Sequence, residues 1–174
     1  MVNKMKYAGV TIDELIVKPM MPTIKVKKLG EDVILPTRGS EFAAGYDLYA
    51  YAYDASNANQ DWSVMINPGG TLKISTGIIV ELPECYFGGI YPRSGLATKQ
   101  GLAPANKVGV IDSDYRGPII VALHNHSEIP QIIHKGDRIA QLIVQPYFNY
   151  VWEEVEEIDE TKRGNGGFGS TGTN

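Results

Sequence analysis

The sequence predicts an all-β fold, a sandwich or barrel that contains one short helix. Apolar residues fall mostly in short stretches, and turn-forming Gly, Pro, Asn and Asp residues separate these stretches. No segment keeps an apolar face at helical spacing over several turns, which argues against a helical bundle. Many short β-rich segments at this spacing are typical of sandwiches and barrels.

The predicted elements follow one another along the chain with turn signals between them, such as Lys-Gly-Asp at 135–137. Residues 23–29 alternate polar and apolar side chains, which predicts a half-buried strand. The one short helix is expected at residues 94–100. Further strands are predicted at residues 62–66, 72–82, 86–91, 108–111, 118–123 and 139–144.

Length and composition restrict the class of protein. The chain has 174 residues, enough for one domain with a real core, and a net charge of −4. An acidic balance argues against direct nucleic-acid binding, and no apolar run approaches the ~20 residues that span a bilayer. The N-terminus lacks the apolar stretch of a secretory signal. A single cysteine, Cys85, excludes an intramolecular disulfide and a multi-cysteine zinc site, so we expect a cytoplasmic protein.

Composition also divides the chain into segments. Residues 1–22 form a leader, residues 23–160 contain the predicted β-fold, and residues 161–174 form a glycine-rich arm expected to be flexible. The polar residues 53–61 predict an exposed loop inside the β-fold.

The glycine-rich arm is compatible with two interpretations. It is either a disordered terminus or a ribbon that closes over a phosphorylated aromatic base. For closure it offers one cation, one aromatic ring and two hydroxyls, from Arg163, Phe168, Ser170 and Thr171. A Walker phosphate loop is excluded because the required lysine is missing.

Three further clusters are ambiguous when each is taken alone. Pro-Arg-Ser-Gly at 92–95 is either a local turn or an anion-binding turn with a guanidinium fork. In residues 109–117, Asp112 is either part of an ordinary turn or a base that activates water. His124 and His126 share a strand face as metal ligands would, but no third ligand is evident, and solvated turn residues are the default.

Five motifs in a fixed order carry a more specific signal. They are Ala-Gly-Tyr-Asp-Leu-Tyr-Ala at 44–50, Pro-Arg-Ser-Gly-Leu-Ala at 92–97, Gly-Val-Ile-Asp-Ser-Asp-Tyr-Arg-Gly at 109–117, Gly-Asp-Arg-Ile-Ala-Gln at 136–141 and Arg-Gly-Asn-Gly-Gly-Phe-Gly-Ser-Thr-Gly at 163–172. With these motifs the chain resembles the homotrimeric dUTPase family (deoxyuridine 5′-triphosphate nucleotidohydrolase) over nearly its whole length.

The resemblance implies a jelly-roll-like β-fold in a homotrimer with active sites at the subunit interfaces. It implies Mg²⁺-dependent hydrolysis of dUTP to dUMP and pyrophosphate by water attack on the α-phosphorus. Such an enzyme limits uracil incorporation into DNA and supplies dUMP for dTMP synthesis. Residues 23–160 then form the catalytic domain, and residues 161–174 close over the nucleotide, usually at a neighbouring subunit's site.

The resemblance also implies a role for individual residues. Asp112 orients and deprotonates the attacking water, and Tyr115 packs against the deoxyribose and excludes a 2′-hydroxyl. Asp47 touches the water shell of Mg²⁺, which the triphosphate mainly holds. The remaining implied substrate contacts are Asn106 and the backbone around Gly109 for uracil, Arg93, Ser94 and Gly95 for phosphates, Gln141 as a polar group of the fourth motif, and Arg163, Phe168, Ser170 and Thr171 on the closing arm.

Two other functions fit the sequence less well. dCTP deaminases share this fold, but Ala122 stands where their glutamate base would be, which argues against deamination. A regulatory binding module, whose nucleotide occupancy controls attachment to a protein partner, rests only on residues 53–61 and the leader. It would be compatible with catalysis.

Overall fold

A computed structural model describes residues 6–7, 10–11, 22–58 and 60–167. Within them the predicted all-β fold with one short helix is confirmed. The helix α1 spans Ser94–Gln100, as predicted, and ends at Gly101, whose φ of 68° is the left-handed conformation of a helix C-cap. No helix in the described part of the chain is long and apolar enough to cross a membrane.

The strands are β1 (Lys6–Tyr7), β2 (Val10–Thr11), β3 (Lys25–Lys28), β4 (Thr37–Arg38), β5 (Tyr46–Tyr49), β6 (Ser63–Ile66), β7 (Thr71–Ser75), β8 (Ile78–Glu81), β9 (Tyr86–Tyr91), β10 (Leu102–Pro104), β11 (Gly109–Ile111), β12 (Ile120–Asn125), β13 (Gln131–His134) and β14 (Arg138–Pro146). Apart from β1 and β2 and Pro22, the predicted leader lies outside the described residues.

Two antiparallel sheets position the functional residues. The larger has the order β11-β9-β14-β5-β4, and the smaller has the order β10-β12-β7. Pairs β13-β6, β3-β8 and β1-β2 complete the strand pairing. Within the larger sheet, β14 lies between β9 and β5 and bonds to both.

The core is made of aliphatic side chains from several sheets. Its fully buried members include Leu48, Ile74, Leu102, Leu123 and Ile139. Each such side chain stabilises the fold by roughly 1.5–3 kcal/mol relative to an exposed one. No buried side-chain nitrogen or oxygen among the described residues lacks a hydrogen-bond partner.

Two sequence-based expectations differ from the structure. Residues 72–82 form two strands rather than one, because Gly77 turns the chain with a φ of 72°. The prediction that residues 23–29 form a half-buried strand is wrong as to burial, since all of β3 is exposed. It pairs only with β8, and Val26 lines an open apolar groove with Val80 and Leu142.

The segment predicted as an exposed loop, residues 53–61, is attached to the fold. Asp54 caps a 3₁₀ turn at Ala55–Asn57 by accepting the Ser56 N–H, and the Asn57 side chain is buried. Lys135 Nζ donates to the Ala58 carbonyl at 3.0 Å. The segment is therefore anchored at its centre, and a protein partner for it stays a prediction.

A buried amide joins three parts of the fold. Asn125, which is fully buried, donates through Nδ2 to the Ile66 and Ile129 carbonyls at 2.9 and 2.8 Å. Its Oδ1 accepts from the backbone N–H and hydroxyl of Ser127. The end of β12 is thereby tied to β6 and to the turn before β13.

We predict that Asn125→Ala lowers the free energy of unfolding by about 3 kcal/mol, because it leaves buried carbonyl groups without donors. Denaturant unfolding at a fixed protein concentration measures this change. Glu128→Ala, at an exposed position of the same turn, is the control and should leave the midpoint unaltered. An equally stable Asn125 variant would show that these hydrogen bonds contribute nothing net.

Candidate active site

One pocket lies against the edge strand β11. It measures about 210 Å³ and is lined by Ile90, Asn106, Gly109, Val110, Ile111, Asp112, Tyr115, Pro118, Ile120 and Val121. We call it the β11 pocket. A side chain at Gly109 would place its Cβ 2.9 Å from Asn106 Nδ2, so it would displace the Asn106 side chain from its present position in the pocket. Among the described strands β11 pairs with β9 alone, so backbone groups on its other edge are outside this sheet's hydrogen bonding.

A tight turn after β11 presents Asp112 and Tyr115. The Tyr115 N–H donates to the Asp112 carbonyl at 3.2 Å. Arg116 closes the turn by donating to the Ser113 and Tyr115 carbonyls at 2.7 and 3.0 Å. The Tyr115 hydroxyl donates to the Pro118 carbonyl, and its ring fills the space where Gly117 has no side chain. Both side chains are solvent-accessible and both line the β11 pocket.

A second pocket, the arginine pocket, lies where β5, β9 and β14 meet. It measures about 260 Å³ and is lined by Gly39, Ala43, Gly45, Asp47, Arg93, Ser94, Gly95, Arg138 and Gln141. The Asp47 carboxylate is nearly buried, and it accepts from Arg93 Nε at 2.8 Å and from Arg138 Nη1 at 3.1 Å. Two cations and one anion leave this pocket with a net positive charge, which favours an anionic ligand.

Strand register brings Gln141 into the same pocket. Gln141 lies opposite Asp47 on β5 and Tyr91 on β9, and its Nε2 donates to the Pro92 carbonyl at 2.9 Å. Gly45 is required here, since a Cβ at that position would overlap the Gln141 amide. The glutamine thus fixes the chain just before Arg93.

Arg138 is a site residue that the sequence analysis missed. Regular alternation would put Arg138 and Gln141 on opposite faces of β14. A register irregularity between Arg138 and Ala140, with Ile139 and Ala140 both buried, brings the two polar side chains to one pocket. Two adjacent apolar residues inside a strand, Ile139-Ala140, were the only sequence signal of this bulge.

The predicted site residues therefore fall into two groups. Asn106, Gly109, Asp112 and Tyr115 line the β11 pocket, whereas Asp47, Arg93, Ser94, Gly95 and Gln141 line the arginine pocket. The two pockets share no lining residue. Arg163 is exposed in a turn of the arm, where its Nε donates to the Gly166 carbonyl at 2.9 Å. Phe168, Ser170 and Thr171 lie outside the described residues.

His124 and His126, which the sequence analysis singled out, line neither pocket. Their ring centroids are 4.3 Å apart, and His124 Nδ1 bonds to the Thr71 hydroxyl at 2.8 Å. Partial desolvation, with His124 and Lys107 nearby, lowers the pKa of His126. The described residues contain no group of three His, Cys, Asp or Glu side chains that would hold a metal ion.

Comparison with known proteins agrees with the resemblance seen in the five sequence motifs. The dUTPase family profile matches residues 31–172. The deoxyuridine 5′-triphosphate nucleotidohydrolase of Syntrophotalea carbinolica is 44% identical over 150 residues, which cover 86% of this chain and 97% of that protein. The enzyme of the same name from Oryza sativa subsp. japonica is 44% identical over 151 residues, or 87% of this chain and 81% of that protein.

Solved structures agree with the sequence relatives. A mutant dUTPase of Staphylococcus bacteriophage 80alpha, bound to dUpNHpp, matches with a TM-score of 0.76 and 28% identity. The match covers 87% of this chain and 99% of that one. Since the family profile spans most of the sequence and the relatives share well over a third of their residues with it, this chain belongs to the dUTPase family and has its jelly-roll fold.

Proposed function

We propose that this protein hydrolyses dUTP to dUMP and pyrophosphate, which limits uracil incorporation into DNA and supplies dUMP for dTMP synthesis. The family membership supports the reaction. The observation that carries the residue assignments is the grouping of Asp112 and Tyr115 in one pocket and of two arginines in another. We also propose a cytoplasmic location, where the exposed thiol of Cys85 would stay reduced.

In this proposal the β11 pocket binds the nucleoside. Uracil is distinguished from cytosine by its N3–H and O4, which pair with backbone groups on the outer edge of β11 and with Asn106. The wrong base would leave a buried polar group unpaired, at a cost of about 1–3 kcal/mol. The Tyr115 ring, held by its hydrogen bond to Pro118, packs against the deoxyribose and excludes a 2′-hydroxyl.

Hydrolysis then needs a positioned water and neutralised phosphate charge. The water oxygen forms a bond to the α-phosphorus as the bond from that phosphorus to the bridging oxygen breaks, and pyrophosphate leaves. Asp112 takes the proton of the water. Arg93, Ser94, Gly95 and Gln141 contact the phosphate chain. Apart from its chain neighbours and the backbone of α1, no atom of the described residues lies within 4 Å of a Cβ built on Gly95, so packing among these residues does not explain that glycine, whereas a close phosphate would.

Mg²⁺ fits this arrangement as an ion that the nucleotide carries. The described residues offer no cluster of protein ligands, so triphosphate oxygens and water would supply the coordination that Mg²⁺ prefers. Asp47 is the residue that would accept from a metal-bound water, using lone pairs that its two arginine partners leave. When bound, the ion would offset charge on the phosphates.

We further propose a homotrimer whose active sites each combine residues of neighbouring subunits. A single chain keeps its two pockets separate, and a neighbour would bring the arginine pocket of one subunit to the β11 pocket of another. Phe148, Tyr150, Val151 and Trp152, which follow β14, are strongly exposed, as expected for a surface that contacts another subunit. The arm at 161–174, with Arg163, Phe168, Ser170 and Thr171, would close over the nucleotide of a neighbour.

We predict that Asp112→Asn lowers kcat for dUTP by about 10²–10⁴-fold, because the amide cannot take a proton. Pyrophosphate release with Mg²⁺ measures turnover, and calorimetry with a non-hydrolysable imido analogue should show retained binding. The matched control is Asp114→Asn on the same turn, which should keep turnover. A fully active Asp112 variant would remove this residue from catalysis. Wild-type protein that releases no pyrophosphate from dUTP, UTP, dCTP or dTTP would disprove the function itself.

Removing the Tyr115 ring should relax the choice of sugar. We expect Tyr115→Ala to raise kcat/KM for UTP relative to dUTP by roughly tenfold or more, since the 2′-hydroxyl no longer meets a ring. Tyr115→Phe keeps the ring but loses the hydrogen bond to Pro118, so its ratio should stay much closer to wild type than that of Tyr115→Ala. If the ratio is the same in all three proteins, the steric role of Tyr115 is wrong.

Deleting residues 163–174 should depress turnover and leave the melting temperature nearly unchanged, because the arm adds little to the core. Mixing subunits of two variants then tests whether the arm reaches the active site of a neighbouring subunit. Co-refolding the deletion variant with Asp112→Asn should restore activity if an intact arm reaches a neighbour's intact Asp112. Each variant refolded alone is the control, and mixed samples no more active than these controls would place the arm on its own subunit.

A further inference from the structure

Two imidazole rings lie side by side on the outer face of the smaller sheet. His124 is on the face of β12 opposite the buried side chains of Leu123 and Asn125, and His126 follows the strand directly. The two ring centroids are 4.3 Å apart, with an angle of 61° between the ring planes. Because neither ring lines the β11 pocket or the arginine pocket, the proposed reaction leaves this pair unused.

The backbone that carries the two rings is held in place. Asn125, which lies between them, is fully buried, and its side-chain amide bonds to β6 and to the turn before β13. The Asn125 N–H donates to the Gly70 carbonyl at 3.0 Å, and the His126 N–H donates to the Gly101 carbonyl at 2.8 Å. Two rings on a fixed backbone need little ordering when they bind a common ligand.

One hydrogen bond also orients the His124 ring. Its Nδ1 bonds to the Thr71 hydroxyl at 2.8 Å, across the pairing of β12 with β7. When Nδ1–H is the donor, Nε2 carries the free lone pair, which is the arrangement in which histidines bind metal ions. On the other side of the ring, the residue opposite His124 on β10 is Ala103, whose side chain is small. His124 therefore has the hydrogen-bond partner of a metal ligand.

The chemistry of imidazole restricts the ion that such a pair would bind. Imidazole nitrogen suits divalent transition metals, with Cu²⁺ bound most tightly among the first-row ions, whereas Mg²⁺ prefers oxygen. Two nitrogens that bind one ion at about 2.0–2.1 Å lie about 3 Å apart. Rings whose centroids are 4.3 Å apart reach that separation by small rotations about the side-chain bonds.

Charge near the pair limits the affinity. Lys107 is close enough for its charge to act on His126, and a positive charge there weakens the binding of a cation. The described residues provide no third His, Cys, Asp or Glu ligand. Water would therefore fill the remaining coordination positions, and the ion would exchange with solvent.

We propose that His124 and His126 form a bidentate site for a divalent transition-metal ion, for which Cu²⁺ is the strongest ligand-matched candidate. The Thr71 hydroxyl orients the first ring, and the buried Asn125 fixes the spacing of the two. This inference is independent of the proposed function, because it uses neither pocket and concerns a different class of ion from the Mg²⁺ that the nucleotide carries.

The probe is Cu²⁺ alone, titrated calorimetrically into the full chain without a histidine tag, in a buffer that does not chelate metals. Every protein carries Cys85→Ser, because the exposed thiol would compete for the ion. This parent is compared with His124→Gln, His126→Gln, Thr71→Val and Lys107→Asn. The matched control is His134→Gln, which removes the third histidine of the chain, on β13. Electron paramagnetic resonance counts the imidazole nitrogens on the bound ion.

We expect the parent to bind one Cu²⁺ per chain, with two imidazole nitrogens in its spectrum. Thr71→Val should weaken binding by roughly tenfold, the scale of a lost outer-shell partner, and each substitution of His124 or His126 should cost more than that. Lys107→Asn should tighten binding, because it removes a positive charge. His134→Gln should match the parent in affinity and spectrum.

Other results would overturn the proposal. Equal affinity in the parent and His126→Gln, or loss of binding in His134→Gln, would place the ion elsewhere on the chain. A spectrum with a single imidazole nitrogen would show an adventitious ion only, and a parent that binds no Cu²⁺ would refute the site outright. If His124→Gln fails to fold by circular dichroism, His126→Gln decides alone, since His126 is exposed. Protein that is inactive on dUTP defeats the proposed function and leaves this test unaffected.

Discussion

The pairing of β14 with both β5 and β9 is the constraint on which the rest of the site depends. It sets Gln141 opposite Asp47 on one side and opposite Tyr91 on the other, just before Pro92 and Arg93. A shift of one residue would turn Gln141 to the other face and remove its bond to Pro92. The glycine at position 45 protects the same register, because any side chain there would meet the Gln141 amide.

The bulge at the start of β14 brings two polar side chains to one face, which a regular strand would not do. It places Arg138 beside Gln141 in one pocket and still buries Ile139 and Ala140 in the core. The bulge interrupts the regular hydrogen bonding between the strands, and the ion pair between Arg138 and Asp47 offsets the free energy that this costs. Core packing of Ile139 and Ala140 and the ion pair of Arg138 therefore constrain neighbouring residues of one strand. A substitution that disturbs the packing would also move the charged side chain.

The sequence correctly predicted those elements whose ends are set by neighbouring residues in the chain. The helix at 94–100 and the strand at 86–91 have the predicted bounds, since Gly101 ends the first and a turn at Pro83 precedes the second. The exposure of β3 and the anchoring of residues 53–61 depend on partners such as β8 and Lys135, far away in sequence. The alternation of polar and apolar residues and the polarity of a segment do not show which distant residues it will contact.

The same distinction holds for the candidate site. Its residue types could be predicted because each motif is a short continuous stretch of sequence, and the resemblance supplied the roles of the motifs. The position of Arg138 was not readable, because it depends on a bulge and on a carboxylate some ninety residues earlier, at Asp47. The separation of Asp112 from the arginines within one chain likewise follows from the sheet order, with β11 at one edge and β5 three strands away. The proposal that one ligand contacts both groups between two copies of the chain rests on this separation.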